Sequence, residues 1–241
     1  MIKLNKITLI IVLIILISLS WQLTVQAEYN LILNFDDGYR GVYTNAFTIM
    51  KKYEIPGVVF IPTAFVNQDK HINLSQLHDL IDHSWEIGSH TVHHPNLLQL
   101  TPPGIEKEIL KSKNFLYDNK LITKNYASFC SPMSKWNDTI SDIVSKNYQI
   151  ARSNKLMNLK INQEIDANIK VVLKTTTLVS LKNWIIKSSK ENIPLILVFH
   201  DISKEADHLY NFSPHKFSKL IRYIDNKNIN VITFKELLTR Y

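Results

Sequence analysis

The chain has 241 residues with a formal charge of +7, 45% hydrophobic and 20% charged, a composition that excludes a largely disordered protein. Cys130 is its only cysteine, which excludes an intramolecular disulfide framework and a CxxC-type zinc site. The positive charge comes without a basic run or interleaved aromatics, so nucleic acid is not an expected partner.

Lys3 and Lys6 precede an apolar stretch from Ile7 to Trp21, and Val25-Gln26-Ala27 follows. A positive region, a short apolar region and small residues before a cut describe a secretory signal, with cleavage expected between Ala27 and Glu28. The alternative is an uncleaved anchor, because the apolar stretch can run on to Val25, near the length that spans a hydrocarbon core. Residues 1–27 are therefore read as a signal peptide or membrane anchor and 28–241 as one domain. Either way the domain is expected outside the cytoplasmic membrane, secreted or tethered through its N-terminal segment, and monomeric.

Short apolar, β-rich segments then alternate with amphipathic ones. The strand candidates are Leu31 to Phe35, Val58 to Ile61, Trp85 to His90, Ala127 to Ser131, Tyr148 to Ala151, Ile169 to Leu173, Leu195 to His200 and Asn230 to Phe234. Between them the spacing predicts helices over Tyr43 to Tyr53, Ser75 to His83, Pro103 to Asn119, Asp138 to Lys146, Leu178 to Lys190 and Pro214 to Asn226. Thr101 and Ser213 stand as caps before the prolines that open two of these helices. Repeated βα units with strands apolar on both faces call for a parallel sheet covered by helices, as a barrel or a doubly wound fold.

Polar residues collect at the carboxyl ends of the strands, where α/β barrels carry their chemistry. The first strand runs into Asp36-Asp37-Gly38. Alternation sends the two carboxylates in different directions, which suits one as a metal ligand and one as a base; a helix-capping acidic turn is the plainer reading. The third strand runs into His90-Thr91-Val92-His93-His94-Pro95. One helical turn would put His90 and His94 on a common face, able to share a metal, with His93 elsewhere; a polar surface turn is the alternative. Two histidines and one carboxylate make an open site of the catalytic type. His200 closes a wholly apolar strand and is placed to act as a general acid, if it is not a satisfied core histidine.

Taken together, Asp36-Asp37-Gly38, His90-Thr91-Val92-His93-His94-Pro95 and the late Leu197-Val198-Phe199-His200 resemble the polysaccharide deacetylases, the NodB-homology group of carbohydrate esterases. The resemblance covers essentially all of Tyr29 to Tyr241. It implies a distorted (β/α) barrel in the α/β class and the removal of N-acetyl groups from an N-acetylglucosamine-containing polysaccharide such as peptidoglycan, poly-N-acetylglucosamine or a chitin-like polymer. It further implies that Asp37, His90 and His94 bind a divalent metal, that Asp36 is the general base and that His200 is the general acid. Zinc suits these ligands, with cobalt, nickel, manganese or iron as alternatives.

The family's middle motif, Arg-x-Pro-[Tyr/Phe]-Gly, is only partly present in Cys130-Ser131-Pro132-Met133-Ser134. Pro132 matches, and the backbone N–H of Met133 stands where the family stabilises the oxyanion. The arginine that orients the family's base is missing. Trp136, beside this motif, is a candidate for lining the groove, and Asp166 is the candidate partner for His200. His71, His78 and His83 are expected at the surface, His208 and His215 near the rim, and Cys130 in the core. Two other functions share many of these residues: a catalytically weak or inactive carbohydrate-binding relative, and a secreted metal hydrolase of another amide or ester.

Overall fold

A computed structural model describes residues 29–204 and 208–240; the expected signal or anchor segment lies outside the described residues. Five parallel strands lead the fold: β1 (Leu31–Phe35), β2 (Val58–Ile61), β3 (Glu86–Ser89), β4 (Ser128–Cys130) and β5 (Ile150–Arg152). Then come β6 (Leu156–Asn158), β7 (Gln163–Ile165), β8 (Asn168–Val171) and β9 (Leu195–Phe199). All nine form one sheet in the order β7-β6-β5-β4-β3-β2-β1-β9-β8. Only the β5–β6 and β6–β7 pairings are antiparallel, so the sheet is a curled, open barrel with a short meander at one edge.

The helices are α1 (42–53), α2 (Leu74–Asp82), α3 (Pro102–Asp118), α4 (Asp138–Ser145), α5 (Leu178–Glu191), α6 (Pro214–Asn226) and α7 (Phe234–Leu238). The two-residue pair β10 (Asp201–Ile202) and β11 (Asn211–Phe212) stands apart. No helix among the described residues is long and apolar enough to cross a membrane.

Strand alternation sorts the side chains between an inner core and two outer clusters, one of them under α3 and α4. Leu31, Leu33 and Phe35 of β1, with Leu197 and Phe199 of β9, pack outward under the helices. Ile32, Phe60, Ile150, Ile196 and Val198 point into the curl and are closed off below by Phe234 and Leu237 of α7. A strand with both faces buried must be apolar throughout, which is why these segments read so clearly in the sequence.

Several expectations are corrected here. Asn230 to Phe234 is not a strand: a single bridge pairs Leu31 with Val231, and Thr233 then caps α7 in a reciprocal arrangement with Glu236. The meander β6–β7 was not foreseen, because three-residue strands carry too little periodicity. Thr101 and Ser213 stand at helix starts but accept no capping bond from their helices, whereas Asn73, Asn137 and Thr177 do. The strand expected to stop at Ala151 continues to Arg152.

Candidate metal centre and active site

The carboxyl end of β1 builds the centre. Asp37 and Gly38 both take left-handed backbone, φ 68° and 63°, which breaks the strand and turns Asp37 away from Asp36. A Cβ on Gly38 would run into the Ile61 side chain, so glycine alone fits both the conformation and the space. Asp36 keeps the inward direction of Asn34, whose amide donates to Asp36 Oδ1 at 2.8 Å.

His90 leaves β3 with its Nδ1 donating to the Cys130 carbonyl oxygen at 2.7 Å, which commits Nε2 to the opposite side. His90 and His94 meet with ring centroids 4.7 Å apart, but not through the helical turn expected. Left-handed Thr91 and His94 fold the segment into a loop instead. Glu108 of α3 staples that loop, accepting from the backbone N–H groups of Val92 and His93 at 2.9 Å and from His93 Nδ1 at 2.7 Å. His93 therefore points away from the centre, as expected.

Asp37 Oδ1 lies 3.6 Å from His90 Nε2 and 3.3 Å from His94 Nε2. Atoms bound about 2.1 Å from one tetrahedral ion stand about 3.4 Å apart, so this donor set fits a divalent metal. Burial, against the pull of Asp36, lowers His90 to about 3, and burial also lowers His94. Both are neutral at pH 7, the form that ligates metal. Asp37 is pushed up to about 6 by burial and then by the Asp36 charge.

Asp36 goes the other way. Burial disfavours its charge, but Arg152, His90 and His200, together with the Arg152 hydrogen bond, hold its carboxyl well below the usual range. Arg152 Nη2 donates to Asp36 Oδ1 at 2.7 Å and Oδ2 at 2.5 Å, and stands 2.7 Å from Cys130 Sγ. The guanidinium also lies over the Phe60 ring, 5.9 Å from its centroid. The arginine missing from the middle motif is thus supplied from the end of β5, across the inside of the curl. Cys130 occupies the motif's arginine position, and its small side chain leaves room for this reach. Sequence reasoning missed Arg152; the available signal was a charged residue directly following two apolar strand residues.

His200 follows β9 and packs against Tyr210, tilted, at 4.6 Å between centroids. Its Nδ1 is buried and has no hydrogen-bond partner among the described residues. Asp166 does not fill that role: it is exposed and precedes β8, at the amino end of the sheet. Because β8 and β9 pair in parallel, that is the end opposite His200.

Pro132 is buried and Met133 is 56% exposed at a left-handed turn after β4. Trp136 is half-buried, 6.4 Å from Phe129 between centroids, in the outer cluster of α3 and α4. His71 is not a simple surface residue: it stacks on Tyr39 and packs at a tilt against Phe65 beside the centre.

Comparison with known proteins bears on this arrangement. The chain is 28% identical over 125 residues to a putative polysaccharide deacetylase, YxkH, of Bacillus subtilis, covering 52% of this chain and 44% of that one. It is 29% identical over 128 residues to a poly-beta-1,6-N-acetyl-D-glucosamine N-deacetylase of Staphylococcus aureus, covering 47% and 43%. The matched region spans less than half the length of these two relatives. In fold it is similar to a family 4 acetyl xylan esterase of Clostridium thermocellum solved with cobalt, with TM-score 0.61, 17% identity and coverage of 87% and 90%. The family model for polysaccharide deacetylases matches residues 26–151, the stretch that holds Asp36, Asp37, His90 and His94, and the chain belongs to that family.

Proposed function

We propose that this protein is a metal-dependent hydrolase that removes N-acetyl groups from an extracytoplasmic, N-acetylglucosamine-containing polysaccharide and releases acetate. The observation that carries the reading is the meeting of Asp37, His90 and His94 within coordinating distance, beside an Asp36 held ionised by Arg152. Asp37, His90 and His94 would hold one divalent ion, with zinc or cobalt suiting the donors; when bound, such an ion polarises a carbonyl and acidifies a water.

The chain's own groups supply the rest. Asp36 accepts the proton of the attacking water, while Arg152 and Asn34 keep its carboxylate aimed into the site. Water adds to the acetamide carbonyl carbon, the C–N bond breaks, and His200 gives a proton to the leaving amine. The backbone N–H of Met133, at the turn after β4, stabilises the oxyanion, a contact worth about 3 kcal/mol in such sites. The activity of the Staphylococcus relative supports poly-β-1,6-N-acetylglucosamine as one substrate to try.

A weakly catalytic carbohydrate-binding protein is the second reading, favoured by the unpartnered Nδ1 of His200. Acetate release from N-acetylglucosamine oligomers by residues 28–241, with chelator and with added zinc or cobalt, decides between them. Metal-dependent release supports the enzyme. Stoichiometric metal binding without release supports the binding protein, and no metal binding removes the site.

A further inference from the structure

The short pair β10–β11 returns the chain to the general acid. It is parallel, and its register sets Asp201 against Asn211 and Ile202 against Phe212. One residue earlier on each side, the same register sets His200 beside Tyr210. The backbone around Tyr210 is tied down from both directions. Lys174 N–H donates to the Leu209 carbonyl at 2.8 Å. The Asn211 amide donates to the Ser203 carbonyl at 2.9 Å, and its carbonyl oxygen accepts from Ser203 N–H at 3.1 Å. Phe212 is wholly buried and meets Phe199, the residue before His200, at 5.6 Å between centroids. Two paired residues add little as a sheet, but with these anchors they fix one side chain against another.

His200 has need of such a neighbour. Its ring lies within reach of the Asp36 and Asp37 charges, at the rim of the centre. An imidazole that works in catalysis is commonly aimed by the hydrogen bond its second nitrogen makes. Here the buried Nδ1 has no hydrogen-bond partner among the described residues, so no acceptor fixes the turn of the ring. The one ring that His200 meets among them is Tyr210, tilted by 38°. Tyr210 is 45% exposed, so it does not stand there to fill the core.

We propose that Tyr210 is the positioning residue for the general acid: its ring, in place of a carboxylate, holds the His200 imidazole with Nε2 toward the leaving nitrogen. This rests on the deacetylase reading. As the C–N bond breaks, the nitrogen takes the bonding pair and a proton from Nε2, and that transfer depends on where the ring points. A leaving group stable as an anion takes the bonding pair without a proton and does not feel the aim of His200.

The test compares two substrates in the metal-loaded protein: N-acetylglucosamine oligomers, whose amine must be protonated, and para-nitrophenyl acetate, whose phenolate need not be. Tyr210→Ala should lower kcat on the oligomers about tenfold with KM held, and change the ester rate by less than about twofold. Tyr210→Phe keeps the ring and should restore kcat. An equal loss on both substrates, a rise in KM with kcat unchanged, or no rescue by Tyr210→Phe overturns the proposal; the second of these would make Tyr210 a sugar contact. A further readout is independent of turnover. In histidine-labelled protein the NMR line of His200, assigned through His200→Gln, should shift and broaden in Tyr210→Ala and stay in place in Tyr210→Phe. A line unmoved in Tyr210→Ala overturns the proposal as well. A wild type that cleaves the ester but no oligomer removes the deacetylase reading, while the histidine line still decides whether Tyr210 holds the ring.

Discussion

Replacing Arg152 with Met tests the base most directly. The Arg152 and Asp36 side chains are 3% and 8% exposed and 2.5 Å apart, so the substitution strands a buried carboxylate. Breaking a buried ion pair from one side costs about 3–5 kcal/mol. For a domain of this size each kcal/mol is worth about 2–4 °C, so the melting temperature should fall by roughly 10 °C. Activity should fall as well, because without the Arg152 cation and its hydrogen bond the burial of Asp36 is opposed only by His90, His200 and the Asn34 amide, and its carboxyl moves toward the neutral form. In the wild type the folded Asp36 titrates below its unfolded value. Its contribution to stability is therefore present above about pH 4 and is lost only as the pH drops through the folded value. In Arg152→Met that contribution disappears at neutral pH, and the acid limb of kcat/KM for acetate release moves upward. Arg152→Lys should recover part of the stability but not the placement, since an ammonium is a point donor. A variant that melts within about 2 °C of the wild type with an unmoved acid limb would refute the tether.

Four further outcomes follow from the same geometry. His90→Ala and His94→Ala should each abolish stoichiometric metal binding by elemental analysis, while Asp36→Asn keeps the metal and loses about 10²–10⁴-fold in turnover; a fully active Asp36→Asn removes the base assignment. Cys130→Arg puts a second guanidinium against Arg152 and should destabilise, whereas Cys130→Arg/Arg152→Ala should recover part of the loss, a coupling that a double-mutant cycle in denaturant measures. Gly38→Ala meets both an unfavourable φ and the Ile61 side chain, so it should cost about 1–3 kcal/mol and weaken metal binding; an unchanged metal affinity would separate the turn from the site. Asp37 has a folded pKa raised to about 6, so the metal-free protein should lose stability as pH rises from about 4 to 6 and the carboxyl ionises, with metal reversing that loss. A metal-free melting temperature that is flat across this range counts against a strained Asp37.

The motif residues could be read from the chain because each cluster is contiguous. Asp36-Asp37-Gly38 sits on one strand end and His90 to His94 in one loop, so local backbone geometry alone gathers most of the ligands. The alternation of strands and helices was equally legible, since strands buried on both faces must be apolar. The helical turn expected for His90 and His94 failed because left-handed Thr91 and His94 give a different route to the same meeting. Glu108, which secures that loop from α3, left no mark near the motif.

What the sequence by itself determined is the α/β class, the place of the chemistry at the carboxyl ends of the strands, and the residue types that suit a metal. Only the tertiary structure decided what supports them. Arg152 lies 116 residues from Asp36 and four strands away in the sheet, and curling alone brings the two together. The same parallel pairing that aligns β8 with β9 sends Asp166 to the end opposite His200. Local periodicity records which face of a strand is buried, but it holds no record of which distant strand end will face it across a barrel.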